Sequence, residues 1–351
     1  MSTPIVTALA AYGLSGEIFH APFLVSNSNY YLKTIVSSKP EKIKKKYEWV
    51  KIESDFNKIL QDDSIELIVV NTPNTTHFDF TKRALEAGKN VVVEKPFTVD
   101  STSAKELIEL ADKKNLLLSV YHNRRWDGDF KTVKKVIDEG LLGKLVDYEA
   151  HFDRFKNIIK QGWKEEKTPG SGMLFDLGSH LIDQALFLFG LPKSIYADIK
   201  TQREGAEVED NYILILNYKN NLRVTLRTSF LMKEEIPKFI INGQRGTFIK
   251  YGIDVQEDDL KNGKQLSDLN WGEEPENTYG VLNTSINGID FRGKVKTLPG
   301  SYQDFYKNIY EVIRNKAQLI VLPTEAMNVI RIIELAMESN KLGKEIELNN
   351  F

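Results

Sequence analysis

Two short segments of the chain hold residue types suited to proton transfer. The tripeptide Glu94-Lys95-Pro96 follows an apolar run, so Lys95 lies where a buried strand opens into a loop. Asp176 and His180 stand four residues apart in a predicted helix, where they would share one face. An imidazole titrates near neutral pH, and a lysine can stabilise negative charge on an oxygen. We therefore predict that Lys95, Asp176 and His180 are catalytic.

The first part of the chain alternates strand and helix patterns, which would position Lys95. Apolar runs occupy residues 5–10, 32–36, 67–70, 91–93 and 116–120, with helical patterns between them at 78–87 and 103–114. Apolar strands bounded by helices predict a parallel sheet covered on both faces, with ligands at the carboxyl ends of its strands. We predict a Rossmann dinucleotide-binding domain over residues 1–122.

The second part of the chain has a different pattern. A helix is predicted at 173–189, and it is followed by alternating apolar and polar segments at 194–201, 212–218, 222–230, 238–241 and 247–251. Such alternation is typical of an antiparallel sheet with one polar face. Residues 263–299 are predicted as an ordered loop, and helices are predicted at 302–315 and 324–340. We predict that residues 123–351 form a substrate-binding and oligomerisation domain, an α+β domain on an open, mostly antiparallel sheet. Its last helix would be free to pack back on the first domain.

Composition narrows the classes of protein. With 351 residues and 41% apolar content, the chain exceeds what one hydrophobic core usually supports, so two domains are expected. The formal net charge of -2 argues against a nucleic-acid partner. The absence of cysteine excludes disulfides and thiolate metal sites and fits a cytoplasmic location. No apolar run approaches the roughly 18 residues of a membrane span.

The turn after the first predicted strand matches a nucleotide-binding motif. The segment Ala11-Tyr12-Gly13-Leu14-Ser15-Gly16 fits G-x-G-x-x-G except at Ala11. Gly13 would let the backbone approach a pyrophosphate, and Gly16 would let the helix pack close to the sheet. We predict that residues Tyr12, Gly13, Leu14, Ser15 and Gly16 bind a dinucleotide. The alternative is an ordinary tight turn.

The end of the second predicted strand indicates which dinucleotide is used. Enzymes that select NAD usually carry an Asp or Glu about 20 residues after the glycines, whereas this chain has Ser37-Ser38-Lys39. Two hydroxyls can donate to a 2′-phosphate, and Lys39 can neutralise it. NADP is therefore predicted, with NAD as the other option. The alternative for these residues is a turn that caps the following helix.

The order of these motifs resembles that of the Gfo/Idh/MocA oxidoreductases. The resemblance covers the glycine turn, Asn71-Thr72-Pro73-Asn74 with His77, Glu94-Lys95-Pro96, and Asp176 with His180. Within the family, residues 121–127, 172–184 and 248–252 look most like NADP-dependent scyllo-inositol dehydrogenases. The resemblance implies a Rossmann domain, a C-terminal sheet that often forms a dimer interface, and oxidation of a sugar or cyclitol hydroxyl. A homo-oligomer, dimer or tetramer, is expected.

The residue types fit the chemistry of alcohol oxidation. Loss of hydride from carbon requires removal of the hydroxyl proton, so a base is needed along with a group that stabilises the oxygen. We assign the base to His180, its orientation to Asp176, and stabilisation of the oxygen to Lys95. The alternative for His180 is a core histidine with satisfied hydrogen bonds.

Other polar residues carry weaker predictions. Contacts with the ribose and nicotinamide are predicted for Asn71, Thr72, Pro73, Asn74, His77, Glu94, Lys95, Asn123 and Arg124. Substrate contacts are predicted for Tyr121, Asp153 and Arg154. The alternative for the residues at 71–77 is capping of the following helix, and that for Asp153 and Arg154 is an exposed ion pair. Arg125 and Trp126, which follow Arg124, are equally interpreted as packing residues that join the domains.

Three other functions stay open at this level. One is a different reductase on the same fold, such as a biliverdin or sugar carbonyl reductase. Another is a non-catalytic NADP-binding sensor, against which the joint presence of Lys95, Asp176 and His180 argues. The third, a metal-dependent lyase or hydrolase, lacks a ligand cluster among five histidines, so no metal site is predicted.

Overall fold

The computed structural model describes residues 3–159, 162 and 165–348. Its strands are β1 (Ile5–Leu9), β2 (Tyr30–Val36), β3 (Lys51–Glu53), β4 (Leu67–Val70), β5 (Asn90–Val93), β6 (Leu118–Val120), β7 (Leu145–His151), β8 (Ser194–Lys200), β9 (Asn211–Asn217), β10 (Arg223–Ser229), β11 (Phe239–Gly243), β12 (Gly246–Lys250), β13 (Gly280–Ile286), β14 (Ile289–Val295) and β15 (Ile346–Glu347). Its α-helices are α1 (Ala21–Ser26), α2 (Pro40–Lys44), α3 (Phe56–Leu60), α4 (His77–Glu86), α5 (Ser101–Lys114), α6 (Gly128–Asp138), α7 (Ser179–Phe189), α8 (Gln256–Lys261), α9 (Gln303–Asn315) and α10 (Pro323–Leu342).

The backbone contacts divide the chain into two compact units. The first contains the chain up to Asn123 together with Glu257–Leu269 and Tyr302–Asn328. The second contains Arg124–Gln256, Asn270–Ser301 and the chain from Val329 onward. Each unit is therefore assembled from segments that are distant in sequence. The predicted domain boundary between residues 122 and 123 stays a prediction.

The first unit is built on a six-stranded parallel sheet. Its strand order is β3-β2-β1-β4-β5-β6, and every pairing in it is parallel. All four residues of β4 are apolar and buried, as a strand covered on both faces requires. The direction of strand addition reverses between β1 and β4, and α/β sheets bind ligands at the carboxyl ends of such strands. The predicted Rossmann fold is confirmed.

The second unit is built on a nine-stranded sheet. Its strand order is β14-β13-β12-β11-β7-β10-β9-β8-β15. The pairing of β7 with β10 is parallel, and the other pairings in this sheet of the described residues are antiparallel. In β9, Tyr212, Leu214 and Leu216 are buried while the residues between them are partly exposed. The predicted open, mostly antiparallel sheet is confirmed.

Two parts of this sheet differ from the sequence-based expectation. Residues 145–151, which carry no predicted element, form the central strand β7, where Asp147 and Glu149 interrupt the apolar pattern. The prediction of an ordered loop over residues 263–299 is wrong, because β13 and β14 form a hairpin there. Asn287 and Gly288 join the two strands with φ values of 52° and 79°. Positive φ at both positions is the requirement of a type I′ turn.

A buried ion pair fixes α7 to the segment that opens the second unit. The Arg125 guanidinium donates from Nε and Nη2 to the two carboxylate oxygens of Asp183, at 2.9 and 2.7 Å. Both side chains are 2% exposed. The guanidinium also lies 4.5 Å from the centre of the Phe187 ring. This two-point pairing sets the position of the helix that carries His180.

Removing the Asp183 carboxylate should destabilise the protein strongly. We expect Asp183→Ala to lower the free energy of unfolding by about 3–5 kcal/mol, because it removes the carboxylate that accepts two hydrogen bonds from the buried Arg125 guanidinium. Asp147→Ala is the control, since its pair with Arg223 is largely exposed and should be worth less than about 1 kcal/mol. Urea denaturation measures both changes in the free energy of unfolding. Equal losses in the two variants would contradict the stabilising role of the Arg125–Asp183 pair.

Candidate active site

Asn71 joins the loops that follow β1 and β4 in the first unit. Its Oδ1 accepts from the Ala11 backbone N–H at 3.0 Å, and its Nδ2 donates to the Ala11 carbonyl at 2.9 Å. Both bonds use main-chain atoms of residue 11, so the alanine that replaces the first glycine of the motif is compatible with them. Asn71, predicted to contact the cofactor, thus holds the glycine turn at the point where strand order reverses.

The glycine turn has the shape of a phosphate cradle. A Cβ on Gly16 would lie 2.7 Å from both the Ala11 carbonyl oxygen and Asn71 Nδ2, so no larger residue fits there. A Cβ on Gly13 would meet nothing within 4 Å in the described part of the chain. Leu14 is 62% exposed, and Tyr12 lies edge-on to Tyr47. The turn is therefore closed against the sheet at Gly16 and open to a ligand at Gly13, which fits a dinucleotide pyrophosphate.

The segment after β2 forms a turn with exposed polar groups. The Ser37 hydroxyl accepts from the Lys39 backbone N–H at 3.0 Å, while the Ser37 N–H donates to the Glu53 carbonyl at 2.8 Å. Ser38 and Lys39 are exposed. Ser37 thus shapes the turn, and Ser38 and Lys39 are the groups accessible to a ligand.

His77 connects the loop after β4 to the loop after β5. Its Nδ1 lies 2.8 Å from the Pro96 carbonyl oxygen, and its Nε2 lies 2.9 Å from the Thr72 carbonyl oxygen. Burial lowers the pKa of His77, against the two carbonyls that favour the protonated form. The Pro73 carbonyl accepts from Thr76. Asn74 is buried. The His77 side chain therefore shapes these two loops, and the cofactor contacts predicted for Thr72, Pro73 and Asn74 stay predictions.

Glu94 follows β5, and its carboxylate contacts three residues of the first unit. Its Oε1 accepts from the Ser15 hydroxyl and contacts His20 Nε2 at 3.0 Å, and its Oε2 accepts from the Lys95 N–H at 3.0 Å. Burial acts to raise the pKa of Glu94, but hydrogen bonds from His20 and Ser15 outweigh it and lower the pKa to about 2. Lys95 is half-buried and precedes Pro96 through a cis peptide bond. An ionised carboxylate therefore fixes the backbone at Lys95.

Tyr121 and Asn123 follow β6 and are both buried. The Tyr121 hydroxyl donates to the Phe19 carbonyl at 2.9 Å, and its ring packs edge-on against Phe305 at a centroid distance of 4.8 Å. Burial raises the pKa of Tyr121 well above its ordinary value. Tyr121 thus lies within an aromatic cluster, and its predicted contact with substrate stays a prediction.

Asp176 and His180 lie in the second unit, at the start of the helix that was predicted to be continuous. The segment Leu174–Gly178 is a π-helical turn, and α7 begins at Ser179. The expectation of one uniform α-helix is therefore wrong, and the α-helical spacing no longer determines the relative directions of the two side chains. Asp176 is partly exposed and His180 is 5% exposed. Such π turns are frequent at functional sites.

Glu209 supports the beginning of this π turn. Its carboxylate accepts from the Leu174 N–H at 3.2 Å, and its carbonyl accepts from the Met173 N–H at 3.2 Å. Gly172, with φ of +90°, has no room for a Cβ because the Glu209 carboxylate lies against it. Burial raises the pKa of Glu209. This residue, absent from our sequence-based predictions, positions the segment that carries Asp176.

Three further predicted residues lie near Phe152 in the second unit. Arg124 and Arg154 place their guanidinium carbons 5.0 and 5.2 Å from the centre of the Phe152 ring. Arg124 Nη1 is 3.3 Å from the Asp127 carboxylate. The Asp153 carboxylate accepts from the Ser229 N–H at 2.6 Å and contacts His151 Nδ1 at 2.9 Å. Their contacts with ligands stay predictions.

Sequence reasoning missed His20 and Tyr306 in the first unit. His20 Nδ1 is 2.6 Å from the Tyr306 hydroxyl, and both side chains are fully buried. The one signal in the sequence was an imidazole within the largely apolar stretch of residues 18–24. The partner on α9 could not be identified from local spacing.

The described part of the chain contains neither a metal-binding cluster nor a membrane-spanning helix. In residues 3–159, 162 and 165–348, no group of three or more His, Asp or Glu side chains could hold a metal ion. Within the same ranges, no helix is both long and apolar enough to cross a membrane.

The two glycines of the turn should respond differently to an added methyl group. We expect Gly16→Ala to lower both the melting temperature and the affinity for a nicotinamide dinucleotide, because its Cβ would collide with Ala11 and Asn71. Gly13→Ala should keep the melting temperature and weaken only dinucleotide binding, since its Cβ meets open space until a ligand arrives. Thermal unfolding and fluorescence titration test this. Unchanged binding in Gly13→Ala would contradict the cradle.

Comparison with known proteins gives a consistent result over both units. Residues 7–122 match the oxidoreductase family model for the NAD-binding Rossmann fold, and residues 134–348 match the model for the C-terminal alpha/beta domain. The chain is 41% identical over 349 residues to scyllo-inositol 2-dehydrogenase (NADP(+)) IolW of Bacillus subtilis, covering 99% of this chain and 96% of that protein.

Solved structures show the same similarity. The oxidoreductase YvaA from Bacillus subtilis superposes with a TM-score of 0.96 at 39% identity, covering 99% of this chain and 100% of that one. An oxidoreductase from Bacteroides fragilis gives a TM-score of 0.91 at 44% identity, covering 98% and 100% of the two chains. This protein therefore belongs to the Gfo/Idh/MocA family of oxidoreductases and is a dehydrogenase with an NAD-binding Rossmann domain.

Proposed function

We propose that this protein is an NADP-dependent dehydrogenase that oxidises a secondary alcohol of a cyclitol of the scyllo-inositol type, or of a related polyol or sugar. The observation that carries the proposal is 41% identity along almost the entire chain to a Bacillus subtilis enzyme named for that substrate and cofactor. The residues of the glycine turn and of the segment after β2 support the cofactor. Lys95, Asp176 and His180 support the reaction.

The proposed chemistry separates hydride and proton transfer. When NADP is bound, its nicotinamide supplies the hydride acceptor. His180 removes the proton of the substrate hydroxyl, and Asp176 orients the imidazole for that role. Lys95 donates a hydrogen bond to the same oxygen and stabilises its developing negative charge. These three roles are our assignments.

The preference for NADP is assigned to the turn after β2. Residues 37–39 carry no carboxylate that would repel a 2′-phosphate, and Ser38 and Lys39 are exposed. Ser37 holds the turn through the Lys39 N–H. A phosphate at this position would meet hydroxyl and ammonium donors.

We expect wild-type protein to bind NADP more tightly than NAD. Ser38→Asp should reverse the order, because it places a negative charge beside the 2′-phosphate and leaves the Ser37 bond that shapes the turn. Ser37→Asp should also abolish the preference, with an added change in turn geometry. Calorimetric titration of both cofactors measures this. Tighter binding of NAD by the wild type would show that the cofactor assignment is wrong.

Loss of Lys95 or His180 should impair turnover more than cofactor binding. We expect Lys95→Ala and His180→Ala each to reduce kcat on the order of a hundredfold or more while keeping the fold and the affinity for NADP. The double variant should lose less than the product of the single losses, because both residues serve one proton transfer. Lys105→Ala, which changes an exposed lysine of α5, is the control. Near-normal turnover in either single variant would refute its assigned role.

The substrate is identified with a panel of inositols, aldoses and ketoses, read by NADPH absorbance. Turnover of scyllo-inositol at the highest kcat/KM supports the proposed substrate. Efficient turnover of a sugar instead moves the assignment to a sugar dehydrogenase or carbonyl reductase. Tight NADP binding without turnover of any member supports a sensor. A cytoplasmic location and a dimer or tetramer remain predictions from the sequence.

A further inference from the structure

A line of buried polar contacts leads from α9 to the loop that carries Lys95. The Tyr306 hydroxyl is 2.6 Å from His20 Nδ1, and His20 Nε2 is 3.0 Å from Glu94 Oε1. Tyr306 and His20 are fully buried, and the Glu94 side chain is 13% exposed. All three residues belong to the first unit. Burying polar side chains in an aromatic core lowers the stability of the fold unless each polar atom has a hydrogen-bond partner.

The hydrogen bond between His20 and Glu94 has a defined direction. The low pKa of Glu94 keeps its carboxylate ionised, so Glu94 accepts and His20 Nε2 donates. Burial raises the pKa of Tyr306 well above its ordinary value, so the phenol keeps its proton. The Tyr306 hydroxyl lies 2.6 Å from Nδ1 on the other side of the ring, so it holds the imidazole in the orientation in which Nε2 faces Glu94.

The two oxygens of Glu94 have different tasks. Oε1 accepts from His20 and from the Ser15 hydroxyl, and Oε2 accepts from the Lys95 backbone N–H. Because both oxygens are engaged, a rotation of the carboxylate that broke one set of bonds would disturb the other. The His20 contact is thus one of the bonds that fix the backbone from which the Lys95 side chain departs.

We propose that His20 is a positioning residue for Lys95, acting through the Glu94 carboxylate. In this proposal the Tyr306 hydroxyl holds the imidazole in the orientation that places Nε2 against Glu94. The inference rests on the proposed function to the extent that Lys95 acts in catalysis. His20 touches neither substrate nor cofactor in this account. Its effect is on the placement of the lysine, and misplacement of a catalytic group by about 1 Å can cost on the order of a hundredfold in rate.

The competing explanation is that His20 only fills space in an aromatic core. Its ring lies 4.5 Å from the Tyr121 ring and 6.1 Å from the Tyr306 ring, between centroids. A space-filling role depends on volume and shape, whereas positioning depends on the Nε2 donor. Variants that separate volume from hydrogen bonding therefore distinguish the two.

The main experiment compares His20→Leu with His20→Gln. His20→Leu keeps apolar volume without a donor, and we expect kcat to fall on the order of a hundredfold with NADP affinity and substrate KM changed by less than about threefold. His20→Gln retains an amide donor near Nε2, so most of the activity should return. The cofactor affinity is kept because neither the Asn71 bonds to Ala11 nor the Ser15 bond to Glu94 involves His20.

A second readout needs neither cofactor nor substrate. Carbon-13 NMR titration of the Glu94 carboxyl in the free protein should give a pKa of about 2 in the wild type. In His20→Leu the pKa should rise toward the ordinary glutamate value of about 4.3, because the strongest bond that lowers it is gone. The groups whose charge also acts on or is affected by Glu94 are unchanged in this variant; they are Lys95, His77, Tyr121 and Tyr306.

Tyr306→Phe and Tyr30→Phe form a matched pair that removes one buried hydroxyl each. Tyr306→Phe deletes the bond to His20 Nδ1 and should lower kcat about three- to tenfold. Tyr30→Phe deletes a bond to the Tyr306 main-chain carbonyl at 2.6 Å and leaves the side-chain contacts of His20 with Tyr306 and Glu94 in place. It should cost similar stability with kcat unchanged. This pair also decides the question if His20→Leu fails to fold.

The outcomes separate this inference from the function on which it rests. Inactive Lys95→Ala together with normal kcat and an unchanged Glu94 pKa in His20→Leu would overturn the role of His20 alone. Normal turnover by Lys95→Ala would overturn the catalytic assignment, while the Glu94 titration would still report on the His20 contact. Equal losses in Tyr306→Phe and Tyr30→Phe would reduce His20 to a packing residue.

Discussion

The side-chain amide of Asn71 is the constraint on which the nucleotide-binding half of this protein depends. It satisfies both the donor and the acceptor of the Ala11 backbone, two groups that the parallel sheet leaves at the end of β1. Main-chain groups inside a protein must find such partners or pay for their desolvation. The glycine turn is therefore held at Ala11 by this amide, and Gly16 is required because a Cβ there would lie 2.7 Å from the amide nitrogen.

The same principle extends to the next two loops along the sheet edge. His77 ties the loop after β4 to the loop after β5, and Glu94 ties the latter to Ser15 of the glycine turn. Beyond the strand ends, the side chains of Asn71, His77 and Glu94 thus connect the loops through hydrogen bonds, as main-chain hydrogen bonds connect the strands within the sheet. Cross-linking of this kind makes a preorganised site out of loops, which lowers the entropy lost when a ligand binds.

The sequence predicted five of the six strands of the first sheet, because those five are mostly buried and read as apolar runs; the short strand β3 is partly exposed and was not predicted. It predicted the second sheet less well. β7 carries Asp147 and Glu149 on its partly exposed face, and β14 is largely exposed, so neither shows the apolar signal of a strand. The Asn287-Gly288 pair was a usable signal for the hairpin, since both residues tolerate positive φ. The site was predictable where motifs are local, as in the glycine turn. The contact of His20 with Tyr306 joins residues 286 positions apart, and local spacing holds no information on it.

The first unit is assembled from segments that are distant in sequence, and this affects its folding during synthesis on the ribosome. Its sheet is finished by Val120, yet Tyr306, which completes the pairing of His20, is synthesised after the whole second sheet except β15. At about 5–20 residues per second, the ribosome releases that helix many seconds after β6. During this interval Tyr30 and Tyr121 lack their aromatic neighbours from α9. The nascent nucleotide-binding half is thus the earliest part of the protein to begin folding and one of the last to be completed, with an apolar surface open to chaperones in between.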